Sequence, residues 1–293
     1  MTKENQKTTR PISRRDFIGS VMFTTAAAAL ISGCRREDWQ LGCFTRPWGS
    51  ADYRVAFDGI AEAGFSYVGL MGAIITRETT AEQAVEVGRE AASRGLEILS
   101  LYGGFDVRNS VDEGIAQLQA LIDNSSIGGC SSILMGGTTA PDLVDPYYKV
   151  IAECCDYAAE KGVALNLKPH GGTNATGPQC RRHIETVGHK NFRLWYDPGN
   201  IYYYSDMALD PVDDAPTVDG IVTGMCVKDF LPPKEVNVTP GTGEVDFPKV
   251  MSILRQGGFT GGPLLVECLS QGDLDFVNNE AKKVRQFLVE LTA

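Results

Sequence analysis

The segment from Lys161 to His170 reads KGVALNLKPH, and it shows three features that recur along the chain. A glycine that can end a helix precedes a short apolar strand, and polar residues follow that strand. Side chains alternate between the two faces of a strand. The residues expected on the helix-facing side are Val163, Leu165 and Leu167. Those expected on the opposite side, and at the end of the strand, are Asn166, Lys168 and His170.

Seven other segments resemble this one, and amphipathic helical patterns separate them. The eight candidate strands are residues 39–45, 65–71, 96–102, 130–136, 163–169, 192–197, 221–228 and 263–268. Strict strand–helix alternation indicates an α/β protein with a parallel sheet, and eight units predict a single-domain (β/α)8 TIM barrel. The alternative is an open doubly wound sheet, which usually has a phosphate-binding glycine loop after its first strand. The glycines of Gly241-Thr242-Gly243 come too late in the chain to form that loop.

The N-terminal residues are typical of an export signal. Residues 13–18, SRRDFI, resemble the twin-arginine consensus, and residues 17–33 carry no Asp, Glu, Lys or Arg. This uncharged run is too short to span a membrane easily. Residues 30–34, LISGC, resemble a lipobox, so we expect a signal peptide over 1–33 and a barrel domain over 34–293, lipidated at Cys34. The expected location is the periplasm or cell envelope of a bacterium, with membrane contact only through the lipid. A plain signal peptide is the alternative.

Net charge and cysteine content exclude some classes of protein. The formal net charge is −10, which disfavours nucleic-acid binding. Removing Cys34 from the eight cysteines leaves an odd number, so they cannot all form disulfides. Cys154 and Cys155 lie on one apolar helical face and are expected to be buried.

Charged residues follow several strands, where a TIM barrel carries its active site. Asp197 ends the sixth candidate strand, Lys228 ends the seventh and Asp229 follows it, and Glu267 lies inside the apolar eighth. A buried carboxylate is unfavourable unless it is paired or binds a metal. The pattern therefore predicts a site for one divalent metal ion, Mn²⁺, Mg²⁺ or Zn²⁺. The structural alternatives are a turn-capping role for Asp197 and a salt bridge for Glu267.

These motifs resemble the xylose-isomerase-like TIM barrels, the sugar phosphate isomerase/epimerase superfamily. The resemblance rests on LNLKPHGG, DPGN, VKD, GTGEVDF and the glutamate of LLVECL. It implies one divalent metal ion held by Glu, Asp, His and Glu from strands five to eight. Asp197 and Glu267 match two of these ligands, whereas Lys168 and Cys226 occupy the positions of the first glutamate and the histidine. A protonated lysine cannot bind a metal, so His170, Asp229 or Cys226 would have to complete the site.

The resemblance also implies proton abstraction next to a carbonyl, with Glu267, Lys168 and His170 as catalytic candidates. The substrate class expected is a neutral sugar or keto-sugar, because no basic cluster for a phosphate follows the strands. One alternative is a lyase that acts on 3-keto-glycosides with the same site, and another is a non-catalytic sugar-binding lipoprotein. A glycosidase is less favoured. The predicted substrate contacts are Arg46, Trp48, Asn166, Asn200 and Lys228, with the aromatic residues Tyr202, Tyr203 and Tyr204. The oligomeric state is not predicted.

Overall fold

The computed structural model describes residues 38–293, and the predicted signal peptide and Cys34 lie outside them. Within this range eight parallel strands form a closed barrel in chain order, with the last strand paired to the first. The predicted TIM barrel is therefore confirmed. The strands are β1 (Trp39–Phe44), β2 (Tyr67–Leu70), β3 (Glu97–Tyr102), β4 (Ser132–Met135), β5 (Ala164–Leu167), β6 (Phe192–Tyr196), β7 (Val222–Val227) and β8 (Gly262–Val266).

Helices alternate with the strands and cover the outside of the barrel. They are α1 (Tyr53–Glu62), α2 (Ala81–Ala92), α3 (Val111–Ile127), α4 (Val144–Glu160), α5 (Gly177–Val187), α6 (Pro198–Ser205), α7 (Pro211–Asp214), α8 (Phe247–Gln256) and α9 (Leu274–Leu291). Several begin at a side chain that accepts a hydrogen bond from a backbone N–H of the first turn. Thr80 and Gln83 form a reciprocal capping box at α2, and Asp273 caps α9. Such caps each stabilise a helix by roughly 1 kcal/mol.

Two apolar clusters are separated by the barrel wall. The larger one fills the space between strands and helices and contains Leu165 and Leu167, as the alternation along β5 predicts. The smaller one consists of side chains that fill the barrel interior: Phe44, Leu99, Leu134, Trp195, Cys226 and Leu265. Glycine makes room for the large rings in this interior. A Cβ on Gly69 would lie 2.3 Å from Phe44 Cδ1, and one on Gly224 would lie 2.5 Å from Trp195 Cε2.

The seven cysteines of residues 38–293 are all buried, and none forms a disulfide in this part of the chain. Cys154 and Cys155 lie in the outer cluster as predicted. Burial raises the pKa of the Cys130 thiol to about 12, so this group is a protonated, small apolar side chain. Among the described residues, no helix is long and apolar enough to cross a membrane.

Candidate active site

Four charged residues directly follow the last four strands of the barrel. Because the strands are parallel, their C-terminal ends meet at one mouth of the barrel. All four side chains are almost fully buried, with exposed fractions between 0% and 3%. They are Lys168 after β5, Asp197 after β6, Lys228 after β7 and Glu267 after β8.

These side chains form a network in which three cations surround two carboxylates. Lys168 Nζ lies 2.6 Å from Glu267 Oε2 and 3.3 Å from Asp197 Oδ2. Lys228 Nζ lies 2.7 Å from Glu267 Oε1 and 3.2 Å from the same Asp197 oxygen. Arg46, which follows β1, donates from Nη1 to Glu267 Oε1 over 2.9 Å. Both lysines therefore bridge the two carboxylates, and Glu267 contacts all three cationic side chains.

The network fixes the charge of its members. Burial alone would raise the pKa of Glu267, but attraction to Lys168 and Lys228 outweighs burial and holds this pKa well below its usual range. Burial likewise opposes charge on the lysines, and the carboxylates reverse that effect, so the pKa values of Lys168 and Lys228 are raised. At neutral pH the site contains a glutamate anion between two ammonium groups.

Asp197 has a second, structural role that its sequence context also predicted. Its Oδ1 accepts a hydrogen bond from the backbone N–H of Asn200 over 3.0 Å, which caps α6. Burial raises the pKa of this carboxyl, and the charges of Lys228 and Lys168 oppose that shift. Asp197 thus joins the start of α6 to the buried lysines.

Three of the predicted metal ligands come together. One ligand atom each from Asp197, Cys226 and Glu267 lies within 4.8 Å of the others. Cys226 is a fully buried thiol, and burial raises its pKa well above its usual value. The carboxylate oxygens already contact ammonium groups, which would repel a divalent cation. With both lysines charged, this set of residues does not fit a divalent metal ion.

Asp229 is placed differently from the metal-ligand prediction. Its two carboxylate oxygens accept hydrogen bonds from the backbone N–H groups of Phe230, Gly241, Gly243 and Val245, over 2.8–3.1 Å. Asp229 therefore holds the loop after β7 in shape, and the prediction of Asp229 as a metal ligand is wrong. Backbone amides satisfy this buried charge without any metal.

An inner cavity of about 150 Å³ opens beside the network. The residues that line it are Arg46, His170, Asn200, Tyr203, Tyr204, Lys228, Val236 and Glu267. Asn200 accepts a hydrogen bond from Lys228 Nζ over 3.1 Å and donates one to the Pro169 carbonyl over 2.6 Å. Burial, together with the charges of Lys168 and Lys228, lowers the pKa of His170 to about 4, so its imidazole is neutral at pH 7.

The wall of the cavity contains seven of the predicted site residues: Arg46, His170, Asn200, Tyr203, Tyr204, Lys228 and Glu267. Seven others lie outside this wall: Trp48, Asn166, Lys168, Asp197, Tyr202, Cys226 and Asp229. Lys168 lies behind Glu267, within contact of the carboxylate but not in the cavity wall. Trp48 is buried in the outer cluster, and its Nε1 donates to Asn278 Oδ1 of α9. Asn166 is 2% exposed and lies one layer deeper in the barrel than Lys168, where it accepts a weak hydrogen bond from Thr223. The predicted substrate contacts of Trp48 and Asn166 are wrong for these reasons.

A larger cleft of about 650 Å³ lies over the ends of β3 and β4, where the sequence pattern predicts no site. Its lining includes Tyr102, Gly103, Gly104, Phe105, Gly136, Gly137, Tyr147 and His170. Tyr102 Oη lies 3.3 Å from His170 Nε2, and Lys168 Nζ lies 5.3 Å from the centre of the Tyr102 ring. Tyr102 therefore connects the cleft to the charged network.

Comparisons with known proteins agree with this architecture. The family model described as xylose isomerase-like TIM barrel matches residues 57–291. No curated protein sequence matches the chain significantly.

Solved structures show the same fold at low sequence identity. D-psicose 3-epimerase, solved in the presence of D-fructose, is 14% identical with a TM-score of 0.73, over 86% of this chain and 99% of that protein. A xylose isomerase-like TIM barrel protein from Mycobacterium smegmatis in complex with magnesium is 18% identical with a TM-score of 0.69, over 87% and 98%. The 3-keto-D-glucoside 4-epimerase YcjR from E. coli is 16% identical with a TM-score of 0.61, over 85% and 100%.

Proposed function

Because the chain belongs to the xylose isomerase-like TIM barrel family, we propose that it is a sugar isomerase- or epimerase-like enzyme. Its reaction removes a proton from the carbon next to a carbonyl of a neutral sugar or keto-sugar. The observation that carries this proposal is the Glu267 carboxylate in the wall of the inner cavity, with Lys228 and Arg46 in the same wall. The names of two structural neighbours, a D-psicose and a 3-keto-D-glucoside epimerase, support the substrate class.

The proton transfer follows from the charges around Glu267. A substrate carbonyl oxygen beside Lys228 and Arg46 draws these donors away from Glu267 Oε1, which makes the carboxylate a stronger base. Glu267 then takes the proton, and the electron pair of the broken C–H bond forms a carbon–carbon double bond while the carbonyl oxygen becomes an enolate. Lys228 and Arg46 stabilise that negative oxygen. Return of the proton by Glu267 to the neighbouring carbon gives an isomer. An epimer forms when water protonates the opposite face of the same carbon and the resulting hydroxide takes the proton from Glu267.

Lys168 and His170 have different roles in this scheme. Lys168 is a positioning residue, because its ammonium group holds Glu267 Oε2 at 2.6 Å and lies outside the cavity wall. His170 reaches the cavity as a neutral imidazole. It can therefore accept a proton from a sugar hydroxyl or return one as the double bond moves.

We further propose that the two lysines supply the positive charge that a metal ion supplies in the family. Lys168 occupies the position of a metal-binding glutamate in the family pattern, and its ammonium group contacts both remaining carboxylates. A related protein from Mycobacterium smegmatis was solved with magnesium. A divalent metal ion, which the sequence pattern predicts for this chain, would therefore compete directly with the lysine contacts.

Metal analysis of the mature domain, residues 34–293, tests this part of the proposal. Protein purified without chelator should contain no stoichiometric divalent metal. Lys168→Glu should gain about one equivalent of Mn²⁺ or Mg²⁺, because it removes a competing cation and adds a carboxylate ligand. Lys168→Met is the matched control that removes the cation without adding a ligand. One equivalent in the wild-type protein, lost in Glu267→Ala, would overturn the lysine proposal.

Deuterium exchange tests the reaction. The protein is incubated in D2O with neutral ketoses and 3-keto-glycosides, and NMR follows deuterium at the carbon next to the carbonyl. We expect exchange with the wild type and a loss of at least about 100-fold in Glu267→Gln, since a general base contributes about 10²–10⁴-fold. Sugar binding without exchange would instead support the second candidate function, a non-catalytic sugar-binding protein. The three cations around Glu267, which weaken it as a base, favour that candidate.

The same experiment distinguishes a lyase. In a 3-keto-glycoside, loss of the proton at C2 to Glu267 can be followed by cleavage of the C1–O bond. The electron pair of that bond stays on the glycosidic oxygen, which takes a proton from the protonated Glu267 or from water and leaves as the alcohol. Release of the alcohol would then accompany exchange.

On the basis of residues 13–34, we also propose that the protein is exported to the cell envelope as a lipoprotein. Glycans are accessible in that compartment. Mass spectrometry of the N-terminal peptide, with a lipid on Cys34, would test this localisation.

A further inference from the structure

The inner cavity and the larger cleft meet at one residue. His170 lines both spaces, and its ring lies between Tyr204 on the cavity side and Tyr102 on the cleft side, with centroid distances of 5.4 Å and 5.9 Å. Gly136 allows this arrangement, because a Cβ there would lie 2.5 Å from Tyr102 Oη and 3.1 Å from the His170 ring. The two spaces are therefore neighbours on either side of His170.

The volumes favour a ligand that occupies both spaces. The inner cavity measures about 150 Å³. Small-molecule sites in proteins usually measure about 300–1,000 Å³. The inner cavity alone is below this range, whereas the cleft of about 650 Å³ lies within it.

The surface of the cleft suits a second sugar ring. Phe105 is partly exposed and stacks on the buried Tyr147, with ring centroids 4.5 Å apart and an interplanar angle of 19°. This packing holds the Phe105 ring as a fixed apolar face, and sugar rings stack their C–H faces on such rings. The exposed Arg108 is paired with the partly exposed Asp106 at the cleft, where the two side chains offer hydrogen-bond donors and acceptors to hydroxyl groups. Glycines form much of the remaining wall.

We infer that the cleft is a second sugar subsite and that the natural ligand is a glycoside. Its first ring lies against Glu267 in the inner cavity, its glycosidic oxygen lies beside His170 and Tyr102, and its second ring lies on Phe105. Because it names the substrate class of the same site, this inference rests on the proposed function.

Binding of neutral sugars measures the subsite. Isothermal titration calorimetry on the mature domain compares glucose, galactose, mannose and xylose with cellobiose, lactose, mannobiose and xylobiose. We expect at least one disaccharide to bind about tenfold or more tightly than the monosaccharide it contains, since an aromatic stacking contact is worth about that factor. Equal affinities would overturn the subsite and leave the proposed function standing. Binding of none of these sugars would also overturn the subsite for neutral glycosides, whereas the proposed function is decided separately by the deuterium exchange with ketoses and 3-keto-glycosides.

Variants of the cleft locate the second ring. Phe105→Ala should lose about tenfold in affinity for the disaccharide and leave monosaccharide affinity unchanged, and Phe105→Tyr should restore the tight binding. Gly104→Trp should have the same effect as Phe105→Ala, because a Cβ on Gly104 meets no atom within 4 Å, so a large side chain fills the cleft. Phe276→Ala is the matched control, since Phe276 is an exposed aromatic residue on α9 outside both spaces. An unchanged disaccharide affinity in both Phe105→Ala and Gly104→Trp would overturn the inference.

Discussion

The two halves of the barrel mouth differ in composition, since one contains buried charged side chains and the other contains glycines. The ends of β5 to β8 carry Lys168, Asp197, Lys228 and Glu267, which are charged, buried and joined by short contacts. The ends of β3 and β4 carry the glycine pairs 103–104 and 136–137, which line an open cleft. In one half, charged side chains fill the space and pair with one another. In the other half, glycines have no side chains and so leave the cleft open.

We therefore expect the charged half to determine the folding stability of the barrel and the glycine half to determine which ligands bind. In the charged half, each group depends on its partners, because a buried ion without a counter-charge is strongly unfavourable. In the glycine half, side chains that point into the open cleft can be added or trimmed with little effect on folding, and a change there alters which ligands fit. Substitutions in the two halves should therefore be reflected in different measurements.

The largest effect is expected from Glu267→Ala. This change leaves Lys168, Lys228 and Arg46 with Asp197 as the remaining carboxylate of the network, and loss of one partner of a buried ion pair costs about 3–5 kcal/mol. Urea unfolding followed by circular dichroism measures the loss of unfolding free energy. Adding Lys168→Met to Glu267→Ala should recover part of the loss, as a double-mutant cycle would show. A loss below about 1 kcal/mol would mean that the network is not stabilised by pairing.

Gly136→Ala should have an intermediate effect, because Gly136 lies where the two halves meet. The new methyl group would overlap Tyr102 Oη and crowd His170, and such overpacking costs about 1–3 kcal/mol. Gly104→Ala, whose methyl group points into open space, is the control and should unfold like the wild type. Thermal unfolding of both variants gives the comparison. Equal melting temperatures for the two variants would show that Tyr102 and His170 can move aside for the new methyl group without loss of stability.

His170 should contribute to the loss of unfolding free energy at acidic pH. Its pKa is about 4 in the folded protein and about 6.5 when unfolded, so between these values the unfolded chain binds a proton that the folded chain does not. Stability therefore falls as the pH drops from about 6.5 to 4 and does not depend on this group above that range. With an allowance for its partial exposure, His170 should account for about 1–2 kcal/mol of the loss between pH 7.5 and 4.5. The same urea titrations on His170→Asn should show a loss smaller by that amount, and parallel curves would contradict the prediction.

The smallest effect is expected at the rim of the cleft. Asp106 pairs with Arg108 at the surface, where water and salt screen the attraction. Asp106→Asn should leave the unfolding free energy unchanged within error, in contrast to Glu267→Ala. A clear destabilisation would show that the cleft half also depends on charge pairing.

The fold was largely predictable because strand and helix alternation is a local signal. Strands β1 to β7 lie inside the predicted segments, and β8 begins one residue before its segment. The alternation along β5 correctly placed Leu165 and Leu167 outside the barrel. The charged half of the site was also visible, since a charged side chain at the end of a buried strand is unfavourable unless it is paired or binds a ligand. Arg46, Asn200 and Lys228 do line the inner cavity.

The remaining parts depend on contacts between residues far apart in sequence. Nothing local indicates that Asp229 turns toward the amides of its own loop, or that Trp48 turns toward Asn278 while the nearby Arg46 turns toward Glu267. The cleft was missed because a run such as Gly136-Gly137 is typical of any turn. Only the fold shows that these glycines leave space beside His170.

The buried cysteines can be used to measure local unfolding of the barrel, because their thiols react only when they become exposed. Alkylating reagents react with the thiolate, and burial raises the pKa of Cys130 and Cys155 to about 12 and that of Cys154 and Cys268 to about 11. In the native state, labelling must therefore wait for a local or global opening that exposes the sulfur. Cys154 and Cys155 on α4 report on the helical layer, whereas Cys226 reports on the barrel interior. Labelling rates resolved by mass spectrometry would thus rank the layers by the order in which they open, without any added probe.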